Sequence, residues 1–143
     1  MKLSKLDAAQ RQLDVASNLF SNRGDRLALH TLAGAAEEIL GKLLERAAQE
    51  SVFEQMRVSA EQRFGRSITG SDLSGLVNKS RNSLKHANDP NEDPFEYDSD
   101  AAVAMFIRAL VNYQLVTGSL TDPMEKALVA LRHEYPKLVP NGT

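Results

Sequence analysis

The groups best able to do chemistry lie together near the middle of the chain, in Arg81-Asn82-Ser83-Leu84-Lys85-His86, with Lys79 just upstream. Arginine carries a permanent charge on a planar fork whose N–H groups match phosphate oxygens. Histidine exchanges protons near neutral pH more readily than any other side chain. Without a metal, such a pair suits cleavage of RNA by attack of a 2′-hydroxyl on its adjacent phosphate. The histidine would move the proton, and the arginine would stabilise charge on the phosphoryl oxygens. With ten arginines, three histidines and eight asparagines in 143 residues, the pattern Arg-Asn-x-x-x-His is expected by chance about 0.01 times. Lys79 and Lys85 are the candidate substrate-binding cations beside it.

Positioning the pair is a matter of helix geometry. Five residues turn an ideal helix through about 140°, so Arg81 and His86 would not share a face in mid-helix. The segment ends at Asn88-Asp89-Pro90, where proline pushes the residue before it away from helical dihedrals. In a last turn that tightens or opens, both side chains can point into one pocket. A purely structural role competes with this reading, because Lys79, Arg81, Lys85 and His86 would also complement a helix C-terminal dipole.

The elements around the motif read as helices throughout. No proline precedes Pro90. Leu6, Ala9, Leu13, Ala16 and Phe20 repeat at intervals of three and four, the spacing of one helical face. Asn22-Arg23-Gly24 then reads as a turn, with Asp25 as the next N-cap. A second helix carries Leu29, Leu32, Ala36, Ile39, Leu43 and Ala47, and its Ala-Gly-Ala-Ala run permits close helix contact. Phe53, Met56, Ala60 and Phe64 keep a helical register beyond it. A helix beginning near Thr69 or Ser71 and carrying Leu73, Leu76, Val77 and Leu84 should deliver the motif, and 88–98 is the clear loop. Val103, Phe106, Ile107, Leu110 and Tyr113 mark the next helix. Asp122-Pro123-x-Glu125 reads as an N-cap, a first-turn proline and a capping acid, ahead of a stripe of Met124, Leu128, Leu131 and Tyr135. Sustained strand-like alternation is missing. The expected fold is all-α: a single domain over 1–143, an up-and-down bundle of four core helices with one or two accessory helices.

Composition narrows the function classes. The chain is long enough to bury a core without staples. It has no cysteine, so disulfides and thiolate metal sites are impossible. The three histidines are far apart and lack ligand-type partners at i+4, so no metal and no cofactor is expected. The apolar stretch 101–111 is interrupted by Arg108 and too short to span a bilayer, and the N-terminus lacks a secretory apolar run. A cytoplasmic location without membrane contact is the expectation. Net charge is −2, but its distribution is uneven. Arg57 to His86 holds six Lys/Arg against two acids, and Asp89 to Asp100 holds six acids and no base. A basic segment running into an acidic loop can steer a polyanion, although two solvated surfaces of opposite sign would look the same. Glu37-Glu38 on the second helix reads as a solvated edge, from which an acid could reach Arg81.

At Arg81, Asn82 and His86 the chain resembles the HEPN superfamily, whose ribonuclease members carry R-x4-6-H, commonly with Asn, Asp or His directly after the arginine. The resemblance covers the domain loosely and one hexapeptide tightly. It implies a four- to five-helix up-and-down bundle with the motif near the end of the third core helix. It also implies a homodimer whose two motifs face each other across a shared cleft. By that resemblance Arg81 would bind the scissile phosphate, His86 would act as base or acid, and Asn82 would orient the site. The implied activity is a metal-independent endoribonuclease of a toxin–antitoxin, defence or stress system, with RNA or a nucleotide as ligand and an antitoxin or other protein as a further partner. Some toxin branches carry a tyrosine two residues after the histidine; here Asn88 stands there, so regulation through that tyrosine is not implied. Other members of the superfamily bind nucleotides or merely dimerise. The alternative is therefore a non-catalytic helical module that binds nucleotide, RNA or a partner protein.

Overall fold

The computed structural model describes residues 1–47, 60–64 and 98–139. Helix α1 spans Lys5–Ser21 and α2 spans Arg26–Ala47. Helical residues 60–64 follow, then α3 over Ser99–Thr117 and α4 over Asp122–Glu134. The protein is an all-α helical bundle, as the periodicity predicts.

Local chemistry sets the helix ends. Ser4 and Asp7 form a reciprocal capping box, in which Asp7 N–H donates to Ser4 Oγ at 3.0 Å and Ser4 N–H to Asp7 Oδ2 at 3.2 Å. At the other end of α1, Gly24 N–H donates to Leu19 O and Arg23 N–H to Phe20 O, the pair of bonds that defines a Schellman motif. The left-handed position of that motif is held by Arg23, at φ 55°, rather than by a glycine. Gly24 follows because a Cβ there would meet Leu19 Cδ2 at 2.8 Å. Asp25 then caps α2, its Oδ2 accepting from Ala28 N–H at 3.0 Å. The Arg23-Gly24-Asp25 tripeptide is thus a turn followed by a cap. It folds α2 back along α1.

Helix α4 starts one residue earlier than the sequence suggests. Thr121, not Asp122, is its N-cap, so Pro123 falls on the second helical residue and Glu125 lies outside the capping box. Thr121 accepts from Met124 N–H while donating to Asp14 Oδ1 at 2.6 Å, which fixes the start of α4 to α1. A hydroxyl at the cap can do both at once, whereas a carboxylate at Asp122 could only accept. Glu125 instead forms an ion pair with Arg63.

The core stripes of α1 and α4 match expectation: Ala9, Leu13, Ala16 and Phe20 are buried on the first, and Met124, Leu128 and Leu131 on the second. Tyr135 packs against the same core. In α2 the deepest line is Leu29, Ala33, Ala36 and Leu40, while Leu32, Ile39 and Leu43 are only half-buried. The shift has a packing cause. Helix α2 lies against both α1 and α3, and Ala33, Gly34 and Ala36 are buried where a small residue allows close approach. Helix α3 is buried nearly all round, from Ala101 through Gln114 with only Arg108 half-exposed. An apolar helix of this kind belongs at the centre of a bundle. Phe20 joins the layers, with its ring centroid 5.5 Å from Phe106 and 6.4 Å from Tyr135, and with the Arg26 guanidinium 4.6 Å above it.

Candidate functional site

Arg81, Asn82 and His86, together with Lys79 and Lys85, lie outside the described residues, as do the helix expected to carry them and residues 88–97 of the loop expected over 88–98. Phe53 and Met56 fall there too, whereas Ala60 and Phe64 of the same expected stripe are buried. What the structure describes is the polar framework that α1 to α4 build inside an otherwise apolar bundle.

The most unusual part of that framework joins α2 and α3. Arg108 Nε donates to Glu37 Oε1 at 2.9 Å, and the Glu37 side chain is only 8% exposed. Glu37 is therefore no solvated edge. Its position between Ala33, Ala36 and Leu40 turns it onto the buried face of α2, and the arginine that breaks the apolar run of α3 meets it there. Burying a carboxylate is tolerable when it is paired and hydrogen-bonded. The pair lines a groove of about 390 Å³ with Glu38, Gly41, Lys42 and Asn112. Sequence reasoning missed the pairing, although a signal existed: a lone charge inside an eleven-residue apolar helix segment requires an opposite charge on a neighbouring helix.

Two smaller polar clusters tie α4 to the rest. Arg63 pairs with Glu125, and Arg132 Nη2 donates to the backbone carbonyl of Arg63. Burial, and next the charge of Arg63, push the Arg132 guanidinium below its ordinary pKa, while Glu125 pulls the other way. On the other side, Asp14 accepts from Thr121, and Tyr113 is buried nearby. Burial raises the Tyr113 phenol above its ordinary pKa, and the charges of Asp14 and Asp7 raise it further. The Thr121 hydroxyl is engaged as the cap of α4 and the Tyr113 phenol is buried, so this cluster, like that of Arg63, Glu125 and Arg132, reads as a fastening of the bundle.

Among the described residues no group of three His, Asp or Glu side chains could hold a metal ion. His30 is buried within α2. Among the described residues no helix is long and apolar enough to cross a membrane. Comparison with family models, with curated proteins and with solved structures finds no match to this chain.

Proposed function

We propose that the protein is a metal-independent endoribonuclease of HEPN type, acting in the cytoplasm as a homodimer with Arg81 and His86 in a shared cleft. The observation that carries the reading is the Arg81-Asn82-x-x-x-His86 spacing in a chain that folds as an all-α bundle. The helical hairpin of α1 and α2 before the motif and the central helix α3 after it support the reading, since an up-and-down order would set the motif at one end of the bundle.

The chemistry balances without a cofactor. His86 takes the proton from a ribose 2′-hydroxyl as that oxygen attacks the adjacent phosphorus. The bond from phosphorus to the 5′-oxygen breaks, and the leaving oxygen receives a proton from the imidazolium of His86, which returns to its neutral form. The products are a 2′,3′-cyclic phosphate and a 5′-hydroxyl, with no water consumed. Arg81 neutralises the equatorial oxygens as charge builds on them. Asn82 orients the pair, and Lys79 and Lys85 hold flanking phosphates. A toxin–antitoxin, defence or stress system, with a neutralising partner protein, is the setting such an activity fits.

The product ends test the reading. Fragments produced by the wild type should carry 2′,3′-cyclic phosphates, as read by mass spectrometry, and His86→Ala should produce none. Fragments ending in a 3′-hydroxyl, or equal cleavage by the variant, would refute it.

A further inference from the structure

A second cationic site exists at the open end of the α1–α2 hairpin. The N-terminus of α1 and the last turns of α2 meet there around a groove of about 200 Å³ lined by Lys5, Glu38, Ile39, Lys42, Leu43 and Arg46. Among the described residues three cations thus stand against one carboxylate, Glu38. Among the described residues Lys5, Lys42 and Arg46 form no ion pair, whereas Arg26, Arg63 and Arg108 are each matched by a glutamate. Lys42 and Arg46 are one turn apart on α2, a rise of about 6 Å, and Lys5 reaches the same space from the neighbouring helix. Because the three come from positions 5, 42 and 46, no local run of charge in the sequence reveals them.

We infer that this groove binds phosphate groups, those of a single RNA strand, with Lys5, Lys42 and Arg46 as their partners. The inference rests on the ribonuclease reading for the identity of the strand, not for the phosphate chemistry. Several separated cations along a groove follow a chain of phosphates better than they enclose one small anion. Ile39 and Leu43 in the floor are half-buried and packed against the core, so they are not free to enter a lipid surface; the exposed Met1 and Leu3 that precede Lys5 make anionic vesicles a necessary arm of the test. Ile39 and Leu43 offer an apolar platform for a ribose or base edge.

The test is binding of a fluorescent single-stranded 2′-O-methyl RNA, which 2′-hydroxyl attack cannot cleave, to the full chain, measured by anisotropy over a range of salt. The wild type is compared with Lys5→Gln/Lys42→Gln/Arg46→Gln and with His86→Ala. Each phosphate contact on a single strand contributes about 0.7 to the slope of log K against log salt. The triple variant should lower that slope by about 2 while keeping the wild-type circular dichroism, and His86→Ala should leave it unchanged. A mononucleotide competing as well as the strand would overturn the assignment to a strand and leave a site for free nucleotide phosphates. An unchanged slope in the triple variant, no binding of RNA by the wild type, or preference for anionic vesicles or polyglutamate over RNA would overturn the inference. Loss of the slope together with cleavage of unmodified RNA that survives in His86→Ala would uphold the groove and refute the catalytic reading.

Discussion

Replacing Phe20 with alanine should remove a large share of the stability of the bundle. The ring is 2% exposed, at the end of α1, and contacts Phe106 of α3, Tyr135 beyond α4 and the guanidinium of Arg26 on α2. Truncating a buried phenylalanine costs about 3–5 kcal/mol through lost burial and the cavity left behind. The cavity here cannot close easily, because Phe106, Leu13 and Leu131 are themselves fully buried. Helix shifts would also strain the Schellman turn only two residues away. The value should therefore fall at about 4–5 kcal/mol, with the aromatic pairs and the cation above the ring accounting for about 1 kcal/mol of it. A domain of this size has about 5–15 kcal/mol in all. The midpoint of thermal unfolding should drop by roughly 10–15 °C. Urea denaturation followed by circular dichroism measures the loss directly. Phe20→Leu separates the contributions: it keeps most of the volume and should cost only about 1–1.5 kcal/mol. A loss below about 2 kcal/mol for the alanine variant would refute the placement of this ring at the junction of the layers.

Backbone conformation supplies two opposed predictions. Arg23→Gly should stabilise the protein by about 0.5 kcal/mol, because relief of the left-handed strain exceeds the entropy cost of glycine. Gly118→Ala, at φ 82°, should destabilise it by about 1 kcal/mol; chemical denaturation of both reads the signs. Ser4→Ala removes the capping box and should cost about 1 kcal/mol, with faster amide exchange in the first turn of α1. Tyr113 should titrate above the ordinary tyrosine range, as followed by phenolate absorbance. Its folded pKa is raised, so its contribution to stability is complete below the unfolded value of about 10 and is lost as pH rises through the folded one. Asp14→Asn should move that titration to lower pH.

Much of the framework was legible in the sequence because helix periodicity and capping are local. The stripes of α1 and α4 and the Asp25 cap all follow from residues within a few positions of one another. What escaped depends on partners distant in the chain. Glu37 looks solvated until α3 brings Arg108 against it across 71 residues. Thr121 outcompetes Asp122 as a cap because Asp14, 107 residues away, accepts a hydrogen bond from its hydroxyl. The cationic groove of Lys5, Lys42 and Arg46 escaped for the same reason. The expected stripe of α2 holds at Leu29 and Ala36 and packs against the core at Leu32, Ile39 and Leu43, while Ala33 joins the deepest line because contact with two neighbours favours a small residue where the helices come closest. Arg81, Asn82 and His86 are the opposite case. Their candidacy comes from residue chemistry and spacing within one hexapeptide, and they lie outside the described residues.

The central claim is best tested by incubating the purified protein with total and transfer RNA in excess EDTA, alongside Arg81→Ala and His86→Ala. Cleavage by the wild type and by neither variant, with all three showing the same helical circular dichroism, is the predicted result. Intact RNA with the wild type, or fragments of equal yield from His86→Ala, would contradict it.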